Sequence, residues 1–248
     1  MSARSAFIAA FAATFALAVV AQATAVAVDP TRLHLSDKAH SQSLSLRNSG
    51  TEKARFQVSA FSWAQSLTGE MQLTPTQDIL FFPSLLEIAP GETRKIRVTS
   101  DVPADAIEKS YRLFVDELPP PNANTAGSIR VLTRLGVPVF LQPGTPAARP
   151  ALNLALQRSH LLVSLENHGN SYVMAQSVRV VGKTKTGEVQ FERDLQAWYV
   201  LAHGRRQYDV ALTDADCAAL AELYATSKTE RGVVRAELTV PAGSCASP

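Results

Sequence analysis

With 248 residues, 24 Lys and Arg against 22 Asp and Glu, and 46% hydrophobic residues, the chain is neither a charged disordered polymer nor a nucleic-acid-binding polycation. Charge is balanced within each half too: twelve basic and twelve acidic residues lie between Asp29 and Pro143, eleven and ten from Gly144 onward. The length exceeds one small domain and suits two of about a hundred residues each.

The chain opens with a single cation, Arg4, and an almost continuously apolar run from Phe7 to Val20. Small-x-small triplets ending at Ala23, Ala25 and Ala27 follow. This pattern predicts a secretory signal peptide over residues 1–25, removed on export, and no later apolar run is long enough to span a bilayer. Export puts the two cysteines, Cys217 and Cys245, in an oxidising compartment. An even pair there predicts a disulfide within the C-terminal part, the alternative being two buried thiols.

Residues 26–35 alternate about Pro30, as an edge strand does. Ser41 to Asn48 alternates in turn and ends at the turn Asn48-Ser49-Gly50. Strands are then expected over Ala54 to Trp63, Met71 to Leu80 and Leu85 to Ile88. The turn Ala89-Pro90-Gly91-Glu92 leads into Thr93 to Val98, and Tyr111 to Leu118 precedes Pro119-Pro120-Pro121. A long strand is read from Ser128 to Leu141. One face carries Ile129, Val131, Thr133, Leu135, Val137 and Val139, the other Arg130, Leu132, Arg134 and Phe140. Pro138 cannot donate to a ladder, which puts this strand at an edge, a bulge or a bend. A long apolar edge is ordinarily hidden, unless something else is meant to pair with it.

About seven short strands separated by Gly, Pro, Asn and Ser turns predict an all-β fold, with an immunoglobulin-like sandwich over 26–143. Pro143 to Pro150 reads as a short stiff hinge, and a second sandwich is expected over 144–248. Its strands are read at Leu161 to Leu165, Val173 to Val181, Val189 to Phe191, Trp198 to Leu201 and Val233 to Val240. One short helix is predicted over Cys217 to Leu223, behind a capping box at Thr213 to Asp216.

Enzymatic motifs are missing from this pattern. His34, His40, His160, His168 and His203 have no metal-ligand spacing, no nucleophile elbow or Gly-rich phosphate cradle occurs, and Asp116 and Glu117 alternate across a strand. No catalytic residue, metal or cofactor is therefore assigned.

The residues Asp29-Pro30-Thr31-Arg32, Leu86 to Thr93, Tyr111-Arg112-Leu113-Phe114-Val115-Asp116-Glu117-Leu118-Pro119-Pro120 and the strand ending Phe140-Leu141-Gln142-Pro143 together resemble the periplasmic pilus (fimbrial) assembly chaperones, PapD-like in kind. The resemblance covers nearly all of the mature chain. It implies two immunoglobulin-like sandwiches set at an angle, and a non-enzymatic periplasmic activity: capping of pilus subunits by donor strand complementation and delivery to an outer-membrane usher. Main-chain pairing along an exposed edge would supply affinity, and alternate side chains would supply register.

On that resemblance Ile129, Val131 and Thr133 are the side chains entering the subunit's groove, although alternation alone leaves them equally free to face their own core. Arg32 takes the place of one cation that binds the subunit's C-terminal carboxylate. The second, a lysine in better-known members, falls near Pro138, so Arg134, on the same strand face, is the substitute. That departure points to a divergent branch similar to the spore-coat-U-like or archaic pilus chaperones. Glu117 is assigned to an inter-domain ion pair, its usual arginine partner being Gln142 in this chain. Self-association of the free protein is a further possibility. The competing reading is a secreted structural or adhesive β-sandwich, itself subunit-like, against which stands a strand that begins almost at once after the signal.

Overall fold

The computed structural model describes residues 26–120, 131–241 and 244–245. The signal peptide expected over residues 1–25 and the groove residue Ile129 lie outside them. Alternation underlies many of the strands: in Ser41–Asn48, Leu44 and Leu46 are buried while Ser43 and Arg47 are exposed, which is the period-two pattern of a half-buried strand.

The first sandwich is built from β1 (Val26–Asp29), β2 (Leu33–Leu35), β3 (Ser41–Asn48), β4 (Ala54–Gln65), β5 (Met71–Pro75), β6 (Ile79–Phe82), β7 (Leu85–Ile88), β8 (Thr93–Ser100), β9 (Lys109–Leu118) and β10 (Arg134–Leu141). One sheet runs β1-β3-β8-β6 and the other β2-β10-β9-β4-β5, with β7 also on β4. Both sheets bury their inner faces in one core that includes Leu33, Leu44, Phe56, Ile96, Leu113 and Val139. The predicted Pro-Gly turn is present: Glu92 N–H donates to the Ala89 carbonyl at 3.1 Å, and Gly91 supplies the positive φ of +77°.

The count exceeds seven because two expected strands are each divided between the sheets. The segment about Pro30 splits into β1 and β2, which lie at the edges of opposite sheets. Met71 to Leu80 splits into β5 and β6 for the same reason. Chain that fills both layers of a sandwich must cross between them, and a continuous alternation does not reveal where.

The second sandwich comprises β11 (Pro150–Gln157), β12 (His160–Asn167), β13 (Val173–Lys183), β14 (Val189–Gln196), β15 (Tyr199–Val200), β16 (Arg205–Ala211), α1 (Asp214–Ala219), β17 (Glu222–Thr229) and β18 (Gly232–Thr239). Its sheets are β11-β12-β16 and β14-β13-β17-β18, with β15 on β13, closed over a core including Leu161, Val163, Val180 and Leu223. Three strands escaped the sequence pattern: β11, beginning at the end of the hinge, β16, and β17. The helix is shorter than expected. Thr213 caps it by accepting the Asp216 N–H at 3.0 Å, but Leu220 is already extended and Glu222 and Leu223 belong to β17. Pairing of β17 with both β13 and β18 overrides the helical propensity of Ala-Glu-Leu. Cys217 and Cys245 form the expected disulfide, with Cα atoms 5.5 Å apart.

Candidate functional site

The strand β10 is paired unequally on its two sides. Along its whole length it runs antiparallel to β9, from Arg134 opposite Asp116 to Leu141 opposite Lys109. On its other side β2 pairs with it in parallel, but only over Val139, Phe140 and Leu141. Among the described residues nothing pairs with that side of residues 134–138. Pro138 marks the limit of the open stretch, where a missing N–H costs no ladder bond.

The predicted strand from Ser128 is corrected at its start: the ladder begins at Arg134, and residues 131–133 lie outside it. They are still tethered to β9, since Glu117 N–H donates to the Thr133 carbonyl at 2.9 Å and Thr133 N–H donates to the Glu117 carboxylate at 3.0 Å. The two parities then separate by position. Leu135, Val137 and Val139 pack into the domain's own core. Val131, of the same parity, is 56% exposed, and Leu132 beside it 42%, so these apolar side chains have no core of their own to enter. Thr133 is half-buried.

At the other end of β10 the opposite face meets the second sandwich. Phe140, fully buried, stacks on Tyr172 with centroids 4.0 Å apart and packs against Trp63 and Tyr199. Polar bonds fix the same junction. Gln65 at the end of β4 donates to the Tyr199 carbonyl at 2.8 Å and accepts the Leu201 N–H at 3.0 Å. Glu108 N–H donates to the Asn170 carbonyl at 2.9 Å, and the Asn170 amide donates to the Ala106 carbonyl at 3.0 Å.

Arg32, in the connection entering β2, projects into this cleft. Its Nη1 donates to the Tyr172 hydroxyl at 2.8 Å and its Nη2 pairs with Glu230 Oε1 at 2.8 Å. The Glu230 bond raises the Arg32 pKa further above its already high ordinary value. His34 Nε2 lies 3.0 Å from the same Tyr172 hydroxyl, and its ring lies beside the Phe140–Tyr172 stack, 5.9 Å from each centroid. Burial, and next the Arg32 charge, lower the His34 pKa, so the ring stays neutral and can accept the phenol proton. Burial raises the Tyr172 pKa, keeping it a neutral phenol. The result is a pocket shared by both sandwiches, in which the Arg32 charge is paired with Glu230 beside stacked aromatic rings.

Arg134 is not brought to this pocket. It lies six residues before Phe140, roughly 20 Å away along the strand. There Nε pairs with Asp116 at 3.0 Å and the guanidinium lies 4.2 Å over the Phe114 ring. Strand parity placed it on the face of Phe140, and its guanidinium is engaged there by Asp116 and Phe114, whereas Arg32 is engaged by Tyr172 and Glu230. The expected inter-domain position of Glu117 is corrected similarly. It sits seven residues beyond Ser110, the residue opposite Phe140, so it braces the entry to β10 at the end remote from the junction.

Arg112 is the cation that sequence reasoning missed. Only 4% exposed, it lies between the Trp63 and Trp198 rings at 4.3 and 4.4 Å and donates from Nη1 to the Gly136 carbonyl at 3.2 Å. Among the described residues its Nε has no partner, and burial lowers its pKa to about 10. A charge in the apolar run Tyr-Arg-Leu-Phe-Val was the available signal, but its aromatic neighbours are distant in sequence. Tyr172 and Glu230 were likewise absent from the sequence-derived site.

Residues 25–147 match the family model of the pili and flagellar-assembly chaperone, PapD N-terminal domain. No curated protein matches the chain. Among solved structures, a chain of the CsuC-CsuE chaperone-tip adhesion subunit pre-assembly complex from archaic chaperone-usher Csu pili of Acinetobacter baumannii is 17% identical, with 86% of this chain and 97% of that one covered at a TM-score of 0.57. The E. coli chaperone DraB is 14% identical, with 88% and 100% covered at 0.55. A chain of the Salmonella enterica SafA pilin in complex with the SafB chaperone is 15% identical, with 88% and 98% covered at 0.55. At such identities the likeness is one of fold: two sandwiches, almost all β.

Proposed function

The chain belongs to the PapD-like pilus assembly chaperones, and from that premise we propose that it lends the open edge of β10 to a pilus subunit lacking a strand. The observation that carries this reading is the one-sided pairing of residues 134–138, led by the exposed Val131 and Leu132. Unpaired N–H and C=O groups on an edge form a template for another chain, and Val131 and Thr133 are the side chains placed to enter its groove.

Charge selects the direction of the incoming strand. The open edge ends where β2 begins, next to Arg32. A partner strand running parallel to β10 brings its C-terminal carboxylate to that guanidinium, whereas an antiparallel one brings an ammonium group. Arg32 is therefore the carboxylate anchor, with Tyr172 as its brace. In this reading the first unit, residues 26–143, donates the strand, and the second, residues 144–248, supplies the far wall of the anchor. The mature protein works in the periplasm after loss of residues 1–25, hands its subunit to an outer-membrane usher, and can cap its own edge by self-association when no subunit is present.

Co-expression with a small secreted subunit encoded beside its gene is expected to yield a stable one-to-one complex, lost on Arg32→Ala while circular dichroism stays unchanged. Failure to co-purify with any such subunit contradicts the function, and capture by the folded Arg32→Ala protein contradicts the anchor.

A further inference from the structure

Arg32 already holds a carboxylate, and it comes from this chain. Glu230 reaches the guanidinium from the hairpin joining β17 and β18, with Oε1 2.8 Å from Nη2. The hairpin holds that acid in place. Glu230 N–H donates to the Met174 carbonyl at 3.1 Å. The Thr229 hydroxyl donates to the Gly232 carbonyl at 2.9 Å and accepts the Arg231 N–H at 3.1 Å, and Gly232 takes the turn through a φ of +120°. With Nη1 given to Tyr172 and Nη2 to Glu230, both prongs of the guanidinium are engaged. A planar guanidinium receives a carboxylate best through two parallel N–H bonds, so an arriving carboxylate and Glu230 compete for the same donor.

We infer that Glu230 is a resident stand-in for the partner's terminal carboxylate, and that capture exchanges one carboxylate for the other on Arg32. The inference rests on Arg32 being the anchor. The exchange is easy to reverse, because the Arg32 and Glu230 side chains are 27% and 42% exposed and the displaced acid is released into water rather than into a core. It also discriminates. A neutral group at the end of a strand gains nothing on Arg32 that offsets the loss of Glu230, whereas a terminal carboxylate replaces it in kind. In the empty protein the same contact keeps the half-buried guanidinium paired.

The test uses the full mature chain and an N-acetylated peptide of about ten alternating Val and Thr residues, prepared with a free C-terminal carboxylate and again as the amide. Binding is followed by calorimetry for the wild type, Glu230→Gln and Glu230→Ala. The expected result is a wild-type preference for the free acid, and tighter binding of that acid by about threefold or more in both variants with no change for the amide. If the acid preference holds but both variants bind the acid equally or more weakly, Glu230 positions Arg32 instead of competing for it, and the exchange is refuted. Equal wild-type binding of acid and amide refutes the anchor itself, and the exchange with it.

Discussion

Phe140 of β10 stacks on Tyr172 of the second sandwich, with ring centroids 4.0 Å apart and planes inclined by 21°. The same short strand thus has two unlike ends: one open and flanked by exposed apolar side chains, the other sealed into an aromatic junction. Stacked aromatic pairs contribute about 0.5–1.5 kcal/mol beyond the area they bury. This pair and the polar bonds of Gln65 and Asn170 make the second sandwich a fixed support for the anchor, so Arg32 is positioned by both halves of the molecule.

Arg112 is expected to be the cation that binds the junction together. Cation–π contacts made away from water are worth about 2 kcal/mol or more, and here one guanidinium has two indole faces, one from each sandwich. Arg112→Ala also leaves a cavity, so a loss of roughly 2–4 kcal/mol is predicted in urea unfolding, with an altered near-ultraviolet tryptophan signal. Arg112→Met, which fills the space without a charge, is predicted to lose less than the alanine variant. An alanine variant as stable as wild type contradicts this role.

Glu108 makes stability depend on pH. Its Oε1 accepts the Tyr172 N–H at 2.9 Å, Oε2 is buried without a partner among the described residues, and burial pushes its pKa up to about 7 from 4.5, against the opposing pull of that N–H and of Arg231. Between those two values the folded protein keeps a proton that the unfolded chain has released, so stability falls as pH rises through this window and levels above it. At about 1.4 kcal/mol per pKa unit the effect is on the order of 3 kcal/mol. His34, whose folded pKa is lowered, works in the opposite sense: its contribution is present above its ordinary value of 6.5 and is lost as pH falls. Glu108→Gln should therefore gain on wild type progressively from pH 5 to 7.5. Parallel stability curves for the two proteins would count against the buried acid.

Reduction of Cys217–Cys245 should weaken the second sandwich. The bond closes a loop with a sequence separation of 28, for which chain entropy gives about 3.5 kcal/mol. The double variant Cys217→Ser, Cys245→Ser should unfold the second sandwich at lower urea, with the first unchanged. Identical unfolding profiles with and without reductant would contradict it.

Legibility in the sequence follows the range of the interactions. Strands such as β3 and β9 and the turn at Gly91 depend on neighbours in the chain, and alternation or turn chemistry reveals them. Where one alternating run serves two sheets, as from Met71 to Leu80, the crossing is invisible, because both sheets ask for the same period. The strand β11 alternates plainly through Leu152, Leu154 and Leu156, but it begins on the last proline of the hinge, where no turn separates the two. Arg32 was found by resemblance, whereas Glu230 and Tyr172 join it from the other sandwich, and no local pattern marks a residue for a partner so remote. Arg134 shows the reverse limit: parity places a side chain on a face but does not say which neighbours hold it there, here Asp116 and Phe114.

Amide hydrogen exchange, on the chaperone alone and in complex with a subunit, decides whether the unpaired side of β10 is the working edge. Strong new protection is expected within residues 131–138 on binding, with little change at Val139 to Leu141, which β2 already pairs. Protection that appears instead on another edge, such as β5 or β6, with residues 131–138 unchanged, would contradict it.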